Sequence, residues 1–131
     1  MSIDRLTRVN QLLKQEIAET LFRVVNDPDA DMGAVTVTRV VTSSNLRRAK
    51  VFLSIRGDKE TQITLFGLVL DRRKAIQHAV ARDVVLKYTP QISFEIDHSI
   101  EAGDHILDLI SKMENEQPSL FNPEEDSEHH E

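Results

Sequence analysis

Arg72, Arg73 and Lys74 stand in one unbroken run, with Arg82 further along the same segment, and the chemistry open to such a run is phosphate binding. Guanidinium and ammonium groups that neutralise phosphates release condensed counterions, so the grip is sensitive to salt and blind to base sequence. A second group, Arg47, Arg48 and Lys50, brackets Ala49. Strand alternation puts Arg48 and Lys50 opposite Ala49 and Val51, on an exposed face. Arg39 on the preceding strand extends this set, and Arg8, with Arg5 and Lys14, adds cations on a first helix. Other uses exist for the same residues. Cations blunt strand edges against unwanted pairing, and the 72–74 run suits a solvated helix face paired with Asp71.

The distribution of charge says more than its sum. Between Arg39 and Lys87 there are eleven Lys/Arg against four Asp/Glu, whereas residues 114–131 hold seven acids and no Lys or Arg, which turns the whole chain to −6. A basic middle favours a polyanionic partner. Stacking platforms are scarce, with one Tyr, five Phe and no Trp. Tyr88 and Phe52 are the two candidates, so recognition is expected to rest on shape and phosphate.

Catalytic chemistry finds few residues. The chain has no cysteine, and Ser43, Ser44 and Ser54 lack a Gly-x-Ser-x-Gly setting. Four glycines, at positions 33, 57, 67 and 103, build no phosphate-cradling loop. His98, Asp104, His105 and Asp108 lie close in sequence, yet without a His-x-x-x-His pair they predict no metal site. No catalytic residue, metal or cofactor is expected, and no small-molecule substrate. The absence of cysteine suits a reducing compartment, and no uninterrupted apolar stretch approaches a membrane span. A cytoplasmic, monomeric protein is expected.

These side chains need elements to hold them. Ile3, Leu6, Val9, Leu13, Ile17, Leu21 and Val24 step by three or four and predict a helix that stops near Asn26-Asp27-Pro28. Ala34–Val41 and Ala49–Arg56 read as strands of a hairpin turned by Thr42-Ser43-Ser44-Asn45-Leu46. Lys59–Leu86 reads as helix; Asp71-Arg72-Arg73-Lys74 suggests a kink or a junction of two helices there, with one unbroken helix as the alternative. Ile92, Phe94 and Ile96 alternate as a third strand. Ser99 then caps a last helix, with Glu101 in its first turn and Ile106, Leu109, Ile110 and Met113 as its stripe. The order helix-strand-strand-helix-helix-strand-helix predicts an α+β domain over residues 1–113, a three-stranded sheet with helices packed on one face. Residues 114–131 read as an acidic, disordered tail.

Separated fragments in this order resemble those of the bacterial ribosome-binding factor A family. They are Arg8-Val9 and Glu16-Ile17, then Asp27-Pro28, then the hairpin run from Ser43-Ser44-Asn45-Leu46 through Arg47-Arg48-Ala49-Lys50-Val51. Pro90-Gln91-Ile92-Ser93-Phe94 and Asp97-His98-Ser99-Ile100 complete the set. The resemblance implies a type II KH-like domain that binds the free small (30S) ribosomal subunit and its 16S ribosomal RNA and assists late maturation and RNA processing. Two positions depart from the family pattern. Asn45 stands where family members usually carry Asp, and Arg72-Arg73-Lys74 falls where the family resembles an Ala-x-Gly kink. Contact with phosphate there is expected through side chains rather than through a glycine backbone. The alternative reading is a protein-interaction module that binds a protein partner by a sheet edge or a helical face, the basic centre being incidental.

Overall fold

Asp4 opens helix α1 (Arg5–Val24) by accepting the Leu6 amide on its carboxylate at 2.9 Å. The seam of Val9, Leu13, Ile17 and Leu21 is buried, as the spacing predicts. The computed structural model describes residues 4–25, 27–99 and 108–117. After a short turn at Met32–Ala34, strands β1 (Val35–Thr42) and β2 (Arg48–Ile55) form the antiparallel hairpin. Helices α2 (Lys59–Asp71) and α3 (Arg73–Asp83) then carry the chain back, so that β3 (Gln91–Ile96) runs parallel to β2 in the order β1-β2-β3. A parallel neighbour requires a crossover of this kind. Helix α4 (Asp108–Asn115) follows. The inward faces of all three strands join α1, α2 and α3 in one aliphatic core, with Phe66 and Phe94 fully buried.

Two local features set the outer face of the sheet. Val37 pairs with Leu53 and Arg39 with Phe52, which leaves Thr38 as the extra residue of a bulge. Unbroken alternation would put Arg39 on the same side as Val37; the bulge sends Arg39 outward and turns Val40 into the core. The hairpin loop holds Leu46 at φ 61, an uncommon conformation for a non-glycine residue. Asn45 Oδ1 supports that turn by accepting from Arg47 N and from Ser43 Oγ, and Ser43 Oγ accepts Arg48 N. Asn45 uses only its acceptor oxygen in these bonds, a role that an Asp carboxylate can also fill.

The long middle helix breaks at one residue. Arg72, at φ −101 and ψ 11, ends α2 and begins α3, so the chain bends there without a glycine. Helix α3 stops at Asp83 rather than reaching Leu86, because Val84 turns extended and Val85 is left in solvent. The expected start of the last helix beyond Ser99 falls outside the described residues, as does the tail from residue 118 onward.

Residues 114–117, assigned to the tail by composition, are instead helix and turn bonded to the sheet. The β3 amides that face away from β2 meet side chains: Ile92 N donates to Gln77 Oε1, Phe94 N to Gln117 Oε1 and Ile96 N to Glu114 Oε2, at 2.8–2.9 Å. Gln77 and Gln117 also donate back, to the Pro90 and Phe94 carbonyls. Three side chains thus replace a fourth strand along an edge that would otherwise be open. Burial raises the Glu114 pKa, opposed by the Ile96 amide.

Candidate nucleic-acid interface

Cations predicted as one basic surface divide by their surroundings. Arg72 and Lys74 are exposed at the α2–α3 bend, and the first turn of α3 carries no acid. Arg73, between them, is 8% exposed. Its side chain turns toward a small recess of about 260 Å³ shared with Leu70, Met113, Glu116 and Gln117. Arg73 is therefore not an outward phosphate ligand, contrary to the reading of the run as three equal cations. Of the three cations, the bend turns only Arg73 inward, toward Met113 and Gln117.

Arg82 sits 2.9 Å from Asp83, which also binds Arg23 at 3.2 Å. One carboxylate facing two guanidinium groups leaves an excess positive charge at that corner. Hydrogen bonding from Arg82 lowers the Asp83 pKa. On the outer face of the sheet, Arg39 lies 4.0 Å above the Phe52 ring and 3.8 Å from buried Asp97. Phe52, proposed as a stacking platform, is already covered by that guanidinium. Lys50 pairs with Glu95 at 3.2 Å, both side chains being partly exposed. With Arg48 they line a cleft of about 520 Å³ whose other walls include Glu114 and Gln117. Its mixed charge makes it a poor seat for a phosphate.

The end of the sheet is different. Arg47, just before β2, and Arg48, its first residue, meet Tyr88, Thr89 and Gln91 around a recess of about 210 Å³ with no acid in its lining among the described residues. Arg47 Cζ stands 5.2 Å and Lys87 Nζ 5.5 Å from the centre of the Tyr88 ring. Lys87 counts toward the basic middle of the sequence but not among its nominated contacts, which were weighed by clustering; its place beside the lone tyrosine was the available signal. Arg8 is exposed on the first turn of α1, two residues before Asn10, which ties α1 to the end of β1 through Thr42. Among the described residues, Arg8, Arg47, Arg72, Lys74 and Lys87 have no carboxylate within ion-pair distance. The described residues also hold no cluster of His and acids fit for a metal ion, and no helix among them is long and apolar enough to cross a membrane.

Comparison with known proteins agrees with this architecture. The family model for ribosome-binding factor A matches residues 5–110. Ribosome-binding factor A of Clostridium novyi is 40% identical over 83% of this chain and 89% of its own length. That of Halothermothrix orenii is 40% identical over 91% of this chain and 96% of its own. A homology model of Thermus thermophilus ribosome binding factor A, as fitted into the cryo-electron-microscopy map of a complex with 30S, superposes with a TM-score of 0.55. It is 21% identical and covers 70% of this chain and 94% of that one. The fold is the KH-like one: a mixed three-stranded sheet whose parallel pair is joined through the bent α2–α3 unit.

Proposed function

The chain belongs to the ribosome-binding factor A family, and from that premise we propose that it docks on the free small ribosomal subunit by gripping 16S ribosomal RNA and assists the subunit's late maturation and RNA processing. It acts without catalysis, as a monomer in the cytoplasm. The observation that carries this reading is the α2–α3 bend, where Arg72 and Lys74 stand exposed in a first turn that has no acid. Cations at a helix N-terminus add to the positive end of the dipole, at a cost of roughly 0.3–1 kcal/mol each. An RNA phosphate at that point removes the cost and gains the helix amides as donors. Arg47 extends the grip at the sheet end, with Arg8 as a further cation. Arg48, Lys50, Arg82 and Arg39 contribute less: Arg48 shares the mixed-charge cleft with Glu95 and Glu114, and the other three each face a carboxylate. The Thermus relative's 30S complex supports the same partner.

Sedimentation of cell extract is the direct test, and the protein is expected with free small subunits rather than with intact ribosomes. The double reversal Arg72→Glu with Lys74→Glu is expected to abolish association while the domain melts no lower than wild type, since acids suit a helix N-terminus. With single neutral substitutions, the slope of log affinity against log salt falls by about 0.7–0.9 per phosphate contact removed. Wild-type sedimentation of the double variant would exclude the bend as the contact. Depletion of the protein is expected to leave unprocessed 16S precursor, and normal processing would remove the maturation role.

A further inference from the structure

We propose that Tyr88 is the stacking seat for one unpaired RNA base, with Arg47 and Lys87 placed to hold the phosphates on either side of it; this rests on the reading above that the partner is RNA. Tyr88 is 53% exposed, a large ring left in solvent on a chain whose other described aromatic rings are buried, covered by Arg39 or, in Phe22, alone on α1. The two cations beside its ring have no carboxylate partner among the described residues, and the recess next to it is free of acid. A ligand that suits both features is flat, aromatic and anionic at its margins. An unpaired nucleotide has that chemistry, because every base offers a π-face and every linkage a phosphate.

Size and rigidity argue the same way. At about 210 Å³ the recess is smaller than the roughly 300–1,000 Å³ of sites for whole small molecules. It admits a single ring with the sugar and phosphate outside. The walls are held on both sides: the Arg47 carbonyl accepts the Gln91 amide at 2.9 Å, and the Pro90 carbonyl accepts Gln77 Nε2 at 2.8 Å. Arg47 itself follows the left-handed Leu46, whose turn is locked by Ser43 and Asn45. A strained, bonded turn that fixes one cation beside an exposed ring is a preorganised arrangement. The Thr89 and Gln91 side chains lie at the rim, within reach of a base edge. The cation lying over the occupied ring face moves out to the adjoining phosphate, a small rearrangement for side chains with no carboxylate to release.

Tyr88 is the one tyrosine of a chain without tryptophan, so intrinsic tyrosine emission reports on this ring alone. Titration of the full chain with a short oligouridylate is expected to quench that emission, and with free small subunits the affinity of Tyr88→Leu is expected to fall about 5- to 150-fold, the equivalent of losing one stacked base. Tyr88→Phe retains the ring and is expected to bind like wild type. Unchanged melting of both variants checks that the fold is intact. If Tyr88→Leu binds subunits as tightly as wild type, the stacking seat is wrong while the docking role stands. Equal losses in Tyr88→Phe and Tyr88→Leu would assign the effect to the hydroxyl and overturn stacking. A Tyr88→Leu defect that persists on a nuclease-resistant protein partner would point to a protein ligand instead. Failure of the wild-type chain to associate with subunits at all would remove the RNA reading itself.

Discussion

Asp97 is a buried carboxylate that accepts the Ser99 amide and hydroxyl and, from across the middle strand, the Thr38 hydroxyl. The Ser99 and Thr38 hydroxyls, helped by Arg39 and opposed by burial, hold its pKa at about 2, below the usual 3.8. The unfolded chain therefore takes up this proton at a higher pH than the folded one. Stability from Asp97 is complete above about pH 4 and is lost as pH falls through about 2. Asp97→Asn is expected to lower stability near neutral pH by on the order of 1 kcal/mol once solvent screening is allowed for. Its melting temperature should converge on that of wild type as the pH is lowered from 4 toward 2, and a gap that stays constant with pH would rule out ionisation as the source. Thr38 reaches Asp97 only because the bulge makes it the extra residue of β1, so a residue-scale pKa depends on a strand-scale irregularity. Arg73 shows the complementary dependence. The bend carries its stem toward Leu70 and Met113, where a long side chain can pack its methylenes and still direct its head to a recess.

Among the elements, β3 is the one whose stability is supplied from outside the sheet. Each of Gln77 and Gln117 makes one bond to an amide and one to a carbonyl of the edge, and among the described residues no strand lies beyond them. Gln117→Ala is expected to cost about 1–3 kcal/mol, the range for leaving part-buried backbone groups unpaired. Hydrogen exchange at the Phe94 amide should accelerate ahead of global unfolding. Gln117→Glu keeps the acceptor and loses the donor, so its cost should fall between; exchange at Phe94 as slow as in wild type after Gln117→Ala would show that the edge is protected by something else. This clamp was not legible in the sequence. Helix α1, the hairpin and β3 were, because periodicity of buried Val, Ile and Leu records which face meets the core. The interruption at Asp71–Lys74 was legible as well, since three cations break an apolar stripe. The partners of Gln77 and Gln117 leave no such trace: glutamine on a helix looks the same whether it faces water or a strand edge. The Thr38 bulge and the burial of Arg73 are hidden for the same reason, as each depends on a neighbour distant in the chain. The recess at Tyr88 was half legible, its ring standing out by rarity while the cations around it come from two segments far apart in sequence.

Across the whole molecule, charge is separated by position, and the boundary of that separation is not the boundary of the fold. Seven acids follow Met113. Glu114 closes the β3 edge together with Gln117, and five of the seven stand beyond residue 117, where they account for most of the net charge. Truncation after Gln117 takes the formal charge from −6 to −1 and leaves the clamp intact. A cationic grip on RNA works against the field of those acids wherever they sit within a Debye length, about 30 Å at 0.01 M salt and about 8 Å at 0.15 M. The truncated chain is expected to bind small subunits more tightly than the full chain at low salt, with the difference shrinking toward physiological salt, and to melt at the same temperature. Truncation after Met113 also removes Glu114 and Glu116, which takes the formal charge to +1, and removes Gln117 with them, so it should show at least the same electrostatic gain but melt lower, with early exchange at Phe94 and Ile96. Affinity at low salt that is equal for the full chain and the Gln117 truncation would mean that the acidic end does not oppose the basic surface.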